Sequence, residues 1–240
     1  LGPQLTHRLL AEILECLTAC VMAEEGVIID YYGDGLAAMW NAPTDQCDHA
    51  QRACRAALEM QRRLDEISTQ WESQIQQPLR LGIGINTGVA LVGNSGTVRR
   101  LKYGPRGHAV IVASRLESAT KRTKSKVLVS SEPCRRLPPR AVTRRVCCGN
   151  LPGLKHPLDL HELVSLDSRT VTRKILEHIH EYERALTLAE SGAFDEAEAI
   201  LGYLQNDGKN EVPADFLFRE LKQKKNTDAD ATVFDLTAKS

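Results

Sequence analysis

The sequence predicts an α+β fold with a C-terminal α-helical extension, on three observations. Apolar residues recur at helical spacing in several segments, and short β-rich runs bounded by turn residues alternate with those segments. Beyond about residue 165 only the helical spacing persists. The first element is a helix, because Leu10, Ile13, Leu14, Leu17 and Val21 form one stripe that ends before Gly26, a residue suited to a helix C-terminus. Val27 to Tyr32 and Leu36 to Trp40 flank the turn Gly33-Asp34-Gly35 and read as a β-hairpin with Asp34 at its tip.

A second helix starts near Asp48 and carries Ala50, Ala53, Cys54, Ala57, Met60, Leu64 and Ile67 on one stripe. Leu79 to Asn86 and Val89 to Val92, separated by Thr87-Gly88, are expected to form a second strand pair. A glycine turn near Gly107 leads into an amphipathic helix beginning at His108. Lys126 to Ser130, Ala141 to Cys148 and Leu158 to Val164 then read as strands. The tail is purely helical in pattern, and its stretch from Tyr182 to Leu204 resembles one helix pair of a tetratricopeptide-type repeat. One such pair cannot bury its own face, so it must pack on the preceding domain or on a partner. The expected organisation is a domain over 1–164 and a helical tail over 165–240.

Composition narrows the function classes. Hydrophobic residues make up 42% and charged residues 26% of 240, and no apolar run approaches the roughly 18 residues of a membrane span. The chain begins with Leu1 rather than Met and is expected to be a fragment or processed product, so an upstream sensor or membrane domain belongs to the open possibilities. Seven cysteines show no paired metal spacing and read as reduced thiols of a cytoplasmic domain. The net charge is zero but unevenly spread: residues 99–155 hold 15 Lys and Arg against two acids. Such a block suits a triphosphate or a solvated rim, and with Tyr103 as its only aromatic it does not suit stacking on nucleic-acid bases.

Three ordered motifs carry a family resemblance. The first is Gly26-Val-Ile-Ile-Asp-Tyr31-Tyr-Gly-Asp34-Gly-Leu-Ala-Ala-Met-Trp-Asn-Ala-Pro43, followed by His49-Ala50 and an alanine-rich helix. The second is Gly82-Ile-Gly-Ile-Asn-Thr-Gly88, whose spacing and following strand rule out a dinucleotide loop. The third is Tyr103-Gly-Pro-Arg-Gly-His108-Ala-Val-Ile111-Val-Ala-Ser-Arg115-Leu-Glu117, where His108, Ile111 and Arg115 share a helix face at i, i+3 and i+7. Together they resemble the catalytic domain of class III adenylate and guanylate cyclases over about Leu1 to Leu163.

That resemblance implies a ferredoxin-like core acting as a head-to-tail homodimer. It implies conversion of ATP, or GTP, to the cyclic nucleotide and pyrophosphate with Mg²⁺ or Mn²⁺, adenylate cyclase being the leading reading. Asp34 takes the place of a metal-binding aspartate, and Arg115 that of the arginine which stabilises charge on the α-phosphate. The family's other metal-binding aspartate precedes the first helix and has no counterpart after Leu1, so half the metal site is expected to be missing. The adenine-reading lysine falls at Tyr31, its partner aspartate at His108 and the ribose-binding asparagine at Ile111. The triphosphate lysine falls at Pro152, with Lys155 as its candidate replacement. These departures keep an alternative in view, a catalytically silent cyclase-homology domain that binds nucleotide or dimerises. A diguanylate cyclase is disfavoured because Tyr32-Gly33-Asp34-Gly35-Leu36 lacks the glutamate its hairpin requires.

Overall fold

The computed structural model describes residues 2–207, 212–224 and 232–237. They form two compact units interleaved along the chain, one of Leu1–Leu81 with Thr87–Ile111 and one of Gly82–Asn86 with Val112–Ser240.

In the first unit, α1 (Pro3–Ala23) opens on a proline whose missing N–H would lack an intrahelical partner anyway. Its end departs from expectation. Glu25, not Gly26, takes the left-handed conformation (φ 55°), and the Trp40 indole donates to the Glu24 carbonyl at 2.9 Å. Gly26 is needed for packing instead, since a Cβ there would lie 2.7 Å from both the Trp40 ring and Val21. Strands β1 (Val27–Tyr32) and β2 (Gly35–Met39) pair antiparallel, and the Tyr32–Gly35 register leaves Gly33 and Asp34 as the turn. Gly33 has φ +64°, which a residue without a Cβ adopts freely. All seven stripe residues of α2 (His49–Ile75) are buried. Trp71 on α2 joins Leu9 and Ile67 in a small core and donates its indole N–H to Glu12 at 2.9 Å, so helices α1 and α2 share polar as well as apolar contacts.

The second unit is built on a mixed sheet. Its strands are β3 (Ile83–Ile85), β6 (Val127–Ser130), β7 (Val142–Asn150), β8 (Leu158–Ser165) and β9 (Phe234–Asp235), in the spatial order β3-β6-β8-β7-β9. Between β3 and β6 the chain makes β4 (Leu91–Thr97) and β5 (Arg100–Arg106), an antiparallel ribbon of the first unit, and then α3 (His108–Thr123). The expected strand pair over 79–92 is therefore not formed. Ile83–Ile85 pairs parallel with β6, where Ser130 also donates to the Asn86 side chain at 2.6 Å. Strand β6 is buried at every position, and filling its ladder outweighs a local turn at Thr87-Gly88. The ribbon escaped the sequence reading because its Arg, Lys, Gly and Ser residues show no apolar alternation.

After β6 come the short helix α4 (Ser131–Arg135) and the β7–β8 hairpin, then α5 (Arg173–Glu190), α6 (Phe194–Asp207) and α7 (Val212–Lys224). The helical reading of the tail holds through Lys224, and β9 adds a short strand beyond it. These helices share one core with the sheet: Tyr182, Leu186, Leu201, Leu217 and Phe234 lie with Leu128, Val146 and Leu160. Tyr182 donates from its hydroxyl to the Val146 carbonyl at 2.8 Å, beneath the Arg144 guanidinium 5.1 Å from its ring. Arg144 in turn pairs with its cross-strand neighbour Glu162, both buried.

Helix α3 lies unusually close to β3. A Cβ on Gly84 would come within 2.2 Å of the Ala113 carbonyl and the Glu117 amide, and one on Gly82 within 2.1 Å of the Thr120 hydroxyl. Gly84→Ala is therefore expected to push the helix off the strand and cost about 1–3 kcal/mol, the usual penalty of overpacking. Chemical denaturation measures this; unchanged stability would show that the helix can retreat at no cost.

Candidate functional site

The candidate residues occupy two structural settings. On the β1–β2 hairpin, the turn lifts Asp34 into solvent, and its carboxylate has no ion pair or hydrogen bond among the described residues. Tyr31 is half-exposed, its hydroxyl 3.0 Å from that of Thr18 on α1, which leaves a lone pair for a further contact. Beside it, the Lys102 ammonium from β5 pairs with Asp30 and lies 5.2 Å from the centre of the Tyr32 ring. The hydrogen bond from Lys102 holds the Asp30 carboxyl below its ordinary range, and the same bond raises Lys102. Sequence reasoning missed this pair, because the packing that brings β5 near β1 leaves no local signature.

The second setting is α3. Gly107, at φ +138°, turns the chain from β5 into the helix, a conformation that favours glycine. His108 and Ile111 on the first turn are exposed and belong to the first unit. Arg115, two turns further along and in the second unit, is partly exposed, yet its Nε is buried with no hydrogen-bond partner. A buried guanidinium nitrogen left unsatisfied is costly, and an anionic ligand is the natural group to complete it. The face of α3 toward Val112, Leu116 and Ala119 is buried instead, so these residues anchor the helix while the adjoining face remains available.

Lys155 lies exposed in the connection between β7 and β8, without a partner among the described residues. Part of the cationic block to which it belongs is neutralised within the fold. Arg122 pairs with Glu220, Arg135 and Arg136 with Glu132, Arg144 with Glu162, and Arg145 with Asp159 and Glu190. Arg115, with its unsatisfied Nε, and the exposed Lys155 are among several cations of the block that the described residues leave without an ion pair.

For a divalent cation the described residues offer no cluster of three His, Cys, Asp or Glu side chains. Asp34 fits as a single carboxylate ligand, and Mg²⁺ commonly takes one or two carboxylates, completing its shell from water and substrate phosphates. No disulfide joins the seven cysteines, and burial pushes the Cys20 thiol up to about 11 and Cys147 higher still, which suits inert core thiols rather than ligands. No described helix is long and apolar enough to cross a membrane.

With an α+β scaffold, an exposed hairpin aspartate and an unsatisfied helix arginine, the chain has the features of a phosphate-handling domain. Residues 2–150 match the family model described as the adenylate and guanylate cyclase catalytic domain. The chain belongs to that family. It is 34% identical over 165 residues to adenylate cyclase 1 of Rhizobium meliloti, covering 69% of this chain and 25% of the relative, and 30% identical over 134 residues to an adenylate cyclase of Anabaena cylindrica, covering 54% and 26%. The chain thus spans about a quarter of the length of these curated relatives. Among solved structures, the guanylyl cyclase Cya2 (32% identity, TM-score 0.61) and the adenylyl cyclase CyaB of P. aeruginosa (27% identity, TM-score 0.63) each align over 69% of this chain, and over 83% and 85% of their own. Members of the family use divalent metal ions.

The orphaned nitrogen separates a binding role for Arg115 from a structural one. Arg115→Met removes a buried donor that nothing in the fold satisfies, so stability is expected to hold or to rise by up to about 1–3 kcal/mol. A clear drop in melting temperature would mark Arg115 as a structural residue.

Proposed function

We propose that this chain is the catalytic domain of an adenylate cyclase, converting ATP to cyclic AMP and pyrophosphate. The buried, unsatisfied Nε of Arg115 carries the reading, because it is a cation the fold leaves uncompensated within the residues that match the family. The two curated relatives just compared are both named adenylate cyclases, which favours ATP over GTP.

In this mechanism the substrate's 3′-hydroxyl attacks its own α-phosphate in line, forming a new P–O bond while the bond to pyrophosphate breaks. The protein's task is to position the ends and offset charge. Arg115 faces the α-phosphate and stabilises the charge that builds there. Asp34 would hold a divalent cation, which would supply charge neutralisation at the phosphates and at the attacking oxygen. Tyr31 and His108 address the base by hydrogen bonds, Lys155 the outer phosphates, and Ile111 lines the ribose by contact alone, since it has no polar group to offer. Mg²⁺ and Mn²⁺ both suit a carboxylate-and-phosphate shell. The domain works in the cytoplasm.

Asp34 is solvated and unpaired, so Asp34→Ala is expected to leave the fold intact and abolish Mn²⁺-dependent cyclic AMP formation by the full-length protein. Background turnover by wild type and variant alike, with ATP and with GTP, would overturn the reading. An analogue of ATP bound without turnover would support the silent domain instead.

A second copy of the chain, packed head to tail, completes the proposal. The β4–β5 ribbon presents apolar side chains to solvent, with Leu91 79% exposed and Leu101 and Tyr103 also uncovered. Exposed apolar groups gathered on one ribbon suit a self-association surface. Leu91→Arg is expected to shift the protein toward monomer in sedimentation and to lower activity with it; an unchanged dimer would exclude the ribbon, and a monomeric wild type the homodimer.

A further inference from the structure

The C-terminal tail reaches the helix that carries Arg115. At the end of α3, Arg122 donates from its guanidinium to Glu220 of α7 at 3.2 Å, and the two side chains are only 18% and 8% exposed. Arg219, the next residue back on α7, donates to the Arg122 carbonyl at 3.5 Å, an acceptor that the end of a helix otherwise leaves unused. Phe216, Leu217 and Leu221 of α7 and Val112, Leu116 and Ala119 of α3 belong to one apolar core. On its strand side the same stretch of α3 is fixed by the glycine contacts of β3.

The placement of Arg122 matters. It lies seven residues after Arg115, two helical turns or roughly 10 Å along the axis, and on the same face. That face therefore carries two arginines with opposite fates: Arg122 is neutralised by an internal carboxylate, and the Nε of Arg115 is left without a partner. A helix clamped at one end by a buried ion pair and along one side by backbone contact can neither slide nor rotate without breaking them. Removing one partner of a buried pair leaves an uncompensated charge in the interior, which holds the helix to a single register.

We propose that α7 is a positioning element for Arg115, acting through the Glu220–Arg122 pair and the Arg219 contact. The tail would then belong to the catalytic apparatus, as the part that fixes where the guanidinium sits. Its proposed role rests on the cyclase reading above, in which Arg115 meets the α-phosphate. A misplacement of about 1 Å at such a group can cost on the order of a hundredfold in rate.

The test is made in the full-length protein with Glu220→Gln, with the reversed pair Arg122→Glu/Glu220→Arg, and with Arg219→Ala, which removes an exposed partner without leaving a buried charge. Glu220→Gln is expected to lower kcat for cyclic AMP formation by about a hundredfold, with the KM for ATP and the affinity for a non-cyclisable ATP analogue unchanged. Arg219→Ala is expected to act in the same direction but less strongly, and the reversed pair to restore most of the rate. Wild-type kcat in Glu220→Gln, a loss expressed wholly in KM, or a folded reversed pair that recovers nothing would each overturn the proposal. If the wild-type protein itself forms no cyclic nucleotide, the cyclase reading is what fails. Amide hydrogen exchange across residues 112–123 then decides the clamp: faster exchange in Arg219→Ala at an unchanged melting temperature supports it, and unchanged exchange overturns it.

Discussion

The close approach of α3 to β3 is the constraint on which the rest depends. Glycines at 82 and 84 allow helix backbone to lie against strand backbone, where any side chain would intervene. That contact places Val112, Leu116 and Ala119 in the core, and with them fixes the orientation of the neighbouring face. Strand β3 is itself held by the parallel ladder to the fully buried β6. The position of Arg115 is thus inherited from a strand thirty residues earlier in the chain.

Charge tells a related story. A run of 15 basic residues against two acids in 99–155 looks in isolation like a surface for an anionic polymer. Folding answers part of it with carboxylates from elsewhere, among them Glu162, Glu190 and Glu220, the last two from the tail helices. The tail therefore contributes counter-charge as well as apolar surface to the sheet.

The departures from the family pattern acquire a physical context. Ile111 and His108 are exposed on the first turn of α3, so neither is a core residue whose identity packing has dictated. Tyr31 has a hydroxyl already engaged by Thr18, and the nearby Lys102 comes from β5 rather than from the hairpin. Under the proposed function, these residues would bear on base selectivity and the orphaned nitrogen of Arg115 on phosphate chemistry.

The sequence by itself determined the helices, the Asp34 hairpin, the buried stripe of α2 and the family, because each is written in short-range periodicity, turn chemistry or ordered motifs. It also determined which residues are candidates for chemistry. Tertiary structure alone decided that Ile83–Ile85 pairs with β6 rather than with its neighbour, that Gly26 serves Trp40 rather than a helix end, and that Lys102 meets Asp30 and Glu220 meets Arg122. These contacts join residues far apart in the chain. Their energy comes from burial and from pairing charges in a low dielectric, which no local pattern of residues encodes.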